Sequence, residues 1–305
     1  MRLSLSLLLA IALLVWAGNC LASALGLSPV AAYLLSALFP LLVAALLAAI
    51  GQAVATLLDP VPERSRGIAA VAVYVRELAY FIWCFLITQP LLASVMSRYR
   101  TPAQPRAVAV FAHGFACNRG LWWLWRGRWH RAGYVTLVLD LPPGYWSIKR
   151  NLDLLAGALN EMAQRHPDLP LCIVGHSMGG LIGRIHQARG LTTVSACVSL
   201  GAPHRGTKLA GQMGGKHRGP PVPHSPWLVA LNQRDPPQAR ADLLNVCSAN
   251  DCIVVPASSS GVDAASDWTR HHLGHMGLTQ SMSLCEQILQ ALEQLLELPA
   301  RESKP

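Results

Sequence analysis

A serine on a glycine-flanked turn constrains the fold of this chain more than any other feature of its sequence. Ser177 lies within Gly175-His-Ser-Met-Gly179, after the short apolar run 171–174 and before a segment, 181–189, with the composition of a helix. Strand, sharp turn and helix in this order match the pattern G-x-S-x-G, in which the serine hydroxyl is exposed on a strained turn. Side chains at the two glycines would collide with neighbouring backbone. The pattern predicts an α/β arrangement with Ser177 as a nucleophile at a helix N-terminus, where developing negative charge is stabilised.

Composition divides the chain into two parts. Of the 305 residues, 52% are hydrophobic and 13% are charged, which is too apolar for an ordinary soluble domain. The apolar excess lies almost entirely before residue 100. About 200 residues remain after Arg106, enough for one well-packed α/β domain. We therefore predict a membrane-anchor region at 1–100 and a catalytic domain at 101–305.

The formal net charge of +9 includes Arg98, Arg100 and Arg106, which lie just before or at the start of the second part. The sequence has no basic helix and no aromatic-basic motif of the kind that binds nucleic acid. We interpret the positive charge as attraction to anionic phospholipid headgroups, and we expect a membrane partner and no nucleic-acid partner.

Two apolar runs open the chain. The first, 3–24, is long enough to cross a hydrocarbon core of about 30 Å as a helix. The second, 30–57, follows after a short uncharged loop, so the pair predicts a transmembrane hairpin. A cleaved signal peptide is the alternative for the first run, because Arg2 precedes it. Arg2 at one end, with Arg64 and Arg66 at the other, would place both ends of the hairpin in the cytoplasm.

A third apolar stretch, 68–96, is harder to interpret. Arg76 and Glu77 interrupt it and Pro90 lies inside it. It fits a third span, a re-entrant segment or a helix lying in the membrane interface. As a third span it would place the arginines that follow it on the outer side, against the positive-inside bias. The side of the membrane that the catalytic domain faces is therefore left open.

The run 106–112 predicts a buried strand and ends in His113-Gly114-Phe115. This is the position at which a backbone N–H, here that of Phe115, supplies half of an oxyanion hole. The second donor is the N–H of Met178, directly after the serine. Each preorganised donor can lower a barrier by about 3 kcal/mol. We interpret the side chain of His113 as structural, because only the loop backbone is needed.

A catalytic acid is expected after a late strand. The run 241–246 predicts that strand, and Asp251 lies just past its carboxyl end. An acid at this place would hold a histidine in the correct tautomer and stabilise its protonated form. Asp263 and Asp267 are alternatives, but neither directly follows a strand pattern.

The base is expected later still. His275 lies in the loop before the amphipathic terminal helix 284–296, and we predict that it is the base. His272 is the alternative.

Trp122, Trp125 and Trp129 share one helical face at spacings of three and four. They fit core packing beneath the sheet, contact with an acyl chain, or an aromatic patch at the membrane interface. Core packing is the interpretation we favour.

The segment 204–240 is rich in Gly, Pro and His over most of its length. It occupies the place in the chain where a lid or cap is commonly inserted. A mobile lid and a plain irregular loop fit equally well.

The eight cysteines do not form a disulfide framework. Cys247 and Cys252 flank a loop and would be able to pair in an oxidising compartment. No Cys/His cluster has the spacing of zinc ligands, so we predict no structural metal.

Together these motifs resemble those of bacterial triacylglycerol lipases of the α/β-hydrolase superfamily, over residues 106–297. The resemblance implies a mostly parallel sheet flanked by helices, here preceded by two or three transmembrane helices. It implies Ser177 as nucleophile, Asp251 as acid, His275 as base, and Phe115 and Met178 as oxyanion donors. The motifs that carry it are His113-Gly114, Gly175-His-Ser-Met-Gly-Gly-Leu-Ile182, Gly201-Ala-Pro-His-Arg-Gly-Thr207, Asn250-Asp251 and His275-Met-Gly-Leu278.

The function implied by the resemblance is that of a serine ester hydrolase, a lipase, esterase or phospholipase, that acts through an acyl-enzyme. The two or three membrane segments depart from the secreted lipases of this type, which have a cleaved signal, so we expect a membrane-anchored enzyme. An acyltransferase or thioesterase on the same scaffold is the alternative, since both need the same nucleophile. A catalytically silent membrane scaffold is disfavoured by the complete set of motifs. Several secreted members of the family bind calcium, but no acidic cluster here suggests it, so no metal and no cofactor are expected. The location implied is the bacterial inner membrane.

Overall fold

The computed structural model describes residues 2–59, 64–142, 148–190, 192–212, 222–235, 242–262 and 267–298. The strands are β1 (Tyr99–Arg100), β2 (Ala107–Ala112), β3 (Tyr134–Val138), β4 (Leu171–His176), β5 (Ala196–Leu200), β6 (Leu243–Ser248) and β7 (Trp268–Arg270). The helices are α1 (Arg2–Ala24), α2 (Pro29–Leu58), α3 (Gly67–Ile82), α4 (Ala93–Val95), α5 (Trp123–Arg131), α6 (Ile148–Arg165), α7 (Met178–Arg189), α8 (Lys208–Gln212), α9 (Pro226–Arg234), α10 (Gly277–Gln280) and α11 (Met282–Leu295). A π-helical segment, Trp83–Leu92, joins α3 to α4.

The seven strands form one sheet in the order β1-β3-β2-β4-β5-β6-β7. β1 runs antiparallel to β3, and the other five pairings are parallel. β2, β4 and β5 are buried at every position, because helices cover both faces of a mainly parallel sheet. The predicted α/β-hydrolase fold, a mostly parallel sheet flanked by helices, is confirmed.

Alternate residues of β2 point to the two sides of the sheet. Ala107, Ala109 and Phe111 pack with α5 and α11 in one apolar cluster. Val108 and Val110 pack with α6 in another. Because the side-chain period of a strand is two, each face receives a continuous apolar surface. This double burial holds the carboxyl ends of the central strands rigidly, and the functional residues lie there.

The three tryptophans at helical spacing are core residues. Trp122, Trp125 and Trp129 are fully buried. The ring centroid of Trp122 lies 5.1 Å from that of Phe111, and that of Trp129 lies 4.8 Å from that of Tyr134. These edge and tilted contacts are the geometry that aromatic pairs prefer. The core interpretation is therefore confirmed, and contact of these side chains with lipid is not.

The first two helices, α1 and α2, form a hairpin that packs against the hydrolase domain. They approach closely at Gly18, where an added Cβ would lie 2.8 Å from Cβ of Phe39. Apolar side chains along both helices are exposed, Trp16 and Leu47 among them. Within the described residues, three helices have the length and apolarity to cross a membrane: Leu3–Ala24, Pro29–Leu58 and Gly67–Val95, with mean hydropathies of 2.2, 2.5 and 1.7.

The third of these segments differs from the other two, because the hydrolase domain covers one of its faces. Tyr80, Phe81 and Cys84 belong to the apolar cluster that contains α5 and α11. Further along, the side-chain Oε1 of Gln89 accepts a hydrogen bond from the backbone N–H of Asn118, at 2.8 Å. One face of the segment thus packs on the domain between Glu77 and Gln89, while Ile68, Val71 and Val95 are exposed.

The segment predicted as a possible lid, 204–240, contains α8 and α9. A buried ion pair between Arg184 and Asp235, with Nη2 and Oδ2 2.5 Å apart, ties the end of α9 to α7. Residues 213–221 and 236–241 lie outside the described residues. A mobile lid therefore stays a prediction.

All eight cysteines are free thiols in the structure. Cys247 and Cys252 are both buried. The disulfide considered for this pair is not formed.

Candidate active site

Ser177 stands on a strained turn between β4 and α7. Its φ of 54° and ψ of −120° are unusual for a residue with a side chain, and they direct the hydroxyl away from the sheet. The flanking glycines permit the turn. A Cβ on Gly175 would lie 2.4 Å from the backbone N of Gly180, and one on Gly179 would lie 2.1 Å from the carbonyl O of Ala112. The sequence motif is thus explained by backbone packing.

His275 and Asp251 form a buried pair. Nδ1 of His275 lies 2.8 Å from Oδ2 of Asp251. The other carboxylate oxygen, Oδ1, accepts hydrogen bonds from the backbone N–H groups of Ile253 and Val254, both at 2.8 Å. Because the carboxylate can only accept, Nδ1 carries the hydrogen and Nε2 is left as the basic atom of the imidazole.

Burial lowers the pKa of His275, but the charge of Asp251, the hydrogen bond to Asp251 and the charge of Glu77 outweigh it. The pKa of His275 is therefore raised above its usual value. A raised pKa makes the imidazole a stronger base, as proton abstraction from a hydroxyl requires.

The strand order brings these residues to one edge of the sheet. Ser177 follows β4, and its backbone N–H donates to the carbonyl O of Leu200 on β5, at 2.8 Å. The next residue, Gly201, has a φ of 55° and lies against the histidine–aspartate pair. A Cβ there would be 3.3 Å both from Oδ2 of Asp251 and from Nδ1 of His275. Ser177 and the His275–Asp251 pair therefore both border residues 200–201, at the carboxyl end of β5 between β4 and β6.

The loop after β2 packs against the serine. A Cβ on Gly114 would lie 2.9 Å from Cβ of Ser177. Phe115, the predicted oxyanion donor, follows in this loop and is half-buried. Met178, the other predicted donor, is the first residue of α7. Both predicted donors thus belong to backbone that borders Ser177.

His113 holds the conformation of this loop. Its Nε2 accepts a hydrogen bond from the backbone N–H of Leu141 at 2.9 Å, so its Nδ1 carries the hydrogen and donates to the carbonyl O of Gly114, also at 2.9 Å. Burial lowers the pKa of His113, although the Gly114 hydrogen bond and the charge of Asp140 oppose it. The geometry agrees with the structural interpretation of this side chain.

His176 is a supporting residue that the sequence reasoning missed. Its Nε2 donates to the carbonyl O of His275 at 3.2 Å, and the two ring centroids lie 4.5 Å apart. Burial and the charge of His275 lower the pKa of His176 well below its usual value. A neutral His176 thus supports the loop without competing for a proton. Its position directly before Ser177 in the sequence motif is the signal from which this role could have been predicted.

Two of the alternative residues, Asp267 and His272, do not join the site. Asp267 accepts hydrogen bonds from Nδ2 of Asn245, at 2.9 Å, and from the N–H of Val262, at 3.1 Å. Asp263 lies outside the described residues. His272 is exposed, and its carbonyl accepts a hydrogen bond from Arg76 at 2.8 Å.

Glu77 is the second residue that sequence reasoning missed. It is buried, and its carboxyl group accepts hydrogen bonds from the backbone N–H groups of Met276 and Gly277. In the sequence it only interrupts an apolar run, and no local pattern links it to a residue about 200 positions away.

In the part of the chain that the structure describes, no group of three or more His, Cys, Asp or Glu side chains has the arrangement to hold a metal ion.

The comparisons with known proteins fall on the same part of the chain. A family model described as the alpha/beta hydrolase family matches residues 109–290. The mature lipase BlEst2 of Bacillus licheniformis superposes with a TM-score of 0.53 at 16% identity, over 64% of this chain and 95% of that one. Lipase B of Aspergillus fumigatus gives 0.53 at 15% identity, over 64% of this chain and 56% of that one. At such identities these likenesses concern the fold.

No curated protein matches the chain. The family model nevertheless spans more than half of the 305 residues and includes Ser177, Asp251 and His275. The chain belongs to the alpha/beta hydrolase family.

Proposed function

We propose that this protein is a membrane-anchored serine ester hydrolase, a lipase or esterase, that cleaves acyl esters with Ser177, His275 and Asp251. The observation that carries the proposal is the buried hydrogen bond from His275 to Asp251 at the strand edge where Ser177 stands on its strained turn. A nucleophile, a base and an acid that orients the base are the parts that acyl transfer to serine requires.

In the proposed reaction, Oγ of Ser177 attacks the ester carbonyl carbon while its proton moves to Nε2 of His275. The resulting oxyanion accepts hydrogen bonds from the backbone N–H groups of Phe115 and Met178. The tetrahedral intermediate collapses, the carbon–oxygen bond to the alcohol breaks, and His275 returns its proton to the leaving alkoxide. Asp251 stays ionised throughout and stabilises the imidazolium.

Water completes the proposed cycle. It attacks the acyl-enzyme while His275 takes one of its protons, and the second tetrahedral intermediate releases the carboxylic acid and restores the serine hydroxyl. The chemistry uses side chains, backbone donors and water, so the proposal includes no cofactor.

The anchoring part of the proposal rests on α1 and α2. Their exposed leucines and aromatic residues would each cost about 1.5–3 kcal/mol to keep in water rather than in an apolar phase. We propose that residues 1–100 form the membrane-anchor region of a bacterial inner-membrane protein, with 101–305 as its catalytic domain. A lipid or another acyl ester taken from the bilayer is then the fitting substrate.

The test uses full-length protein purified in detergent, short- and long-chain p-nitrophenyl esters, and a fluorophosphonate probe. We expect wild type to hydrolyse the esters and to be labelled, and Ser177→Ala to lose both activities while it still inserts and folds. Ser283→Ala, an exposed serine on α11, is the matched control and should behave as wild type. Hydrolysis or labelling of Ser177→Ala at the wild-type rate would overturn the assignment.

A further inference from the structure

A buried carboxyl group reaches from the third apolar segment into the loop that carries His275. Glu77 lies on α3 and is 2% exposed. Its Oε1 accepts a hydrogen bond from the N–H of Met276, and its Oε2 accepts one from the N–H of Gly277 at 3.0 Å. These donors belong to the two residues that directly follow the base.

Such a group is costly to bury. A carboxyl group removed from water loses several kcal/mol of solvation unless hydrogen bonds or an opposite charge replace it. Among the described residues no lysine or arginine forms an ion pair with Glu77. The two backbone N–H groups are its compensation, so the position of the carboxyl group and the conformation of residues 276–277 depend on each other.

Gly274, the residue before His275, packs directly against the same carboxyl group. A Cβ on Gly274 would lie 2.5 Å from Cδ of Glu77. The chain on both sides of His275 therefore contacts one side chain of α3. Rotation or displacement of this loop would move Nε2 of the imidazole away from the serine hydroxyl.

We propose that Glu77 is a positioning residue for His275, through which α3 supports the loop that carries the base. The proposal rests on the proposed function, because it gives Glu77 a role through the base. Glu77 itself touches neither the serine nor the ester.

The effect of removing Glu77 on the pKa of His275 depends on the other groups around the imidazole. Asp251 bonds to Nδ1, and the ring of His176 lies 4.5 Å away. Arg64 lies in the segment before α3, and its Nη2 is 3.4 Å from the carbonyl O of Asp251. Asp251 remains the main source of the raised pKa of His275, and the charge of Glu77 adds to it. Because burial raises the pKa of Glu77 itself to about 7, that charge is fully present only at higher pH, and its loss there lowers the pKa of His275.

The experiment compares Glu77→Gln with wild type in full-length protein in detergent. Glutamine has nearly the same shape, but it is uncharged and turns one acceptor oxygen into a donor that faces an N–H group. The measurements are kcat and KM on a p-nitrophenyl ester across pH, the rate of fluorophosphonate labelling, and the melting temperature. Thr88→Val is the matched control, since Thr88 is buried on the same segment and its Oγ1 bonds within that segment, to the carbonyl O of Cys84.

We expect Glu77→Gln to lower kcat and the labelling rate on the order of 10²-fold, the cost of a base misplaced by about 1 Å. KM should stay within about twofold, and the acid limb of kcat/KM should move to lower pH. Thr88→Val should keep the wild-type profile. For a variant that folds poorly, kcat is calculated per fluorophosphonate-labelled molecule, which separates catalysis from folding.

Two outcomes would overturn the proposal. One is a Glu77→Gln enzyme that keeps the wild-type acid limb and the wild-type kcat per active site, with active sites counted by fluorophosphonate labelling of a parallel sample, because Glu77 would then serve stability alone. The other is a wild-type protein with no esterase activity and no Ser177-dependent labelling. That result removes the proposed function, and the role of Glu77 with it, whereas the first removes only the role of Glu77.

Discussion

Nδ1 of His275 lies 2.8 Å from Oδ2 of Asp251, with both side chains almost completely shielded from solvent. In this geometry the aspartate selects the tautomer in which Nε2 is free to accept a proton. An asparagine at 251 can present its N–H₂ group instead, which favours the opposite tautomer. The identity of this acid is therefore open to a direct test.

We predict that Asp251→Asn lowers kcat by about 10⁴-fold through loss of tautomer control. The measurement is p-nitrophenyl ester hydrolysis by full-length protein in detergent. Asp267→Asn is the control and should cost little in catalysis, because Asp267 bonds to Asn245 and Val262 away from the histidine. A large loss of kcat in Asp267→Asn together with a small loss in Asp251→Asn would contradict our assignment of the acid.

The second prediction concerns pH. The pKa of His275 is raised, because the charge and hydrogen bond of Asp251 and the charge of Glu77 outweigh burial. The base must be neutral to act, so kcat/KM should fall as pH decreases, with its midpoint above the usual imidazole value of about 6.5. A pH–rate profile of kcat/KM checks this. An acid limb well below pH 6 would contradict it.

The raised pKa of His275 also affects the free energy of unfolding, but with the opposite dependence on pH. A folded-state pKa above the unfolded value means that the protonated imidazole stabilises the fold. That contribution is complete below the unfolded pKa and is lost as pH rises through the folded pKa. Denaturation across pH should therefore show this contribution decreasing where activity increases.

The third prediction concerns the turn that presents the serine. Gly179→Ala places a Cβ 2.1 Å from the carbonyl O of Ala112, so backbone must move, and we expect destabilisation of about 1–3 kcal/mol with loss of labelling. Gly157→Ala on α6 is the matched control. Its Cβ would meet no atom within 4 Å, and alanine should stabilise the helix by about 0.5–1 kcal/mol. Melting temperatures in detergent measure both, and an unchanged Gly179→Ala protein would contradict the packing explanation.

The fold was predictable because its signals are local. Runs such as 106–112 and 171–174 carry the composition of buried strands, and the glycines around Ser177 report a backbone collision that any residue with a Cβ would cause. The order of serine, aspartate and histidine along the chain then selected Asp251 and His275 as candidates, which the structure brings together.

The contacts of the third apolar segment were not predictable from the sequence. Glu77 meets residues about 200 positions later, and only the three-dimensional packing shows that its carboxyl group faces backbone donors instead of lipid. Hydropathy averages over such a residue. Hydropathy therefore left 68–96 open between a third span, a re-entrant segment and an interfacial helix, although one of its faces packs on the hydrolase domain.

The last prediction concerns the side of the membrane that the catalytic domain faces. Two contacts fix the length of the third segment that lies on the domain. Arg76 donates to the carbonyl of His272, and Nε of Arg119 donates to the carbonyl of Ala93, at 2.7 Å. Arg76 and Ala93 are at most about 25 Å apart at the α-helical rise of 1.5 Å a residue, since the π-helical part between them rises less. This is still a large part of a bilayer's hydrocarbon thickness of about 30 Å. A spanning segment would carry the polar domain into the hydrocarbon.

We therefore expect two spans, α1 and α2, with the chain's N-terminus and the catalytic domain on the same side. Arg64 and Arg66 follow α2 on that side, so the positive-inside bias places it in the cytoplasm. A C-terminal green fluorescent protein fusion in a bacterial host should fluoresce, and the matching alkaline phosphatase fusion should be inactive. As the control, both fusions should stay in the membrane fraction after an alkaline carbonate wash. An active phosphatase fusion would contradict this topology, since either residues 67–95 would cross the bilayer or the hairpin would have the opposite orientation. A mature N-terminus after Ala22 or Ala24 would mean a cleaved signal peptide.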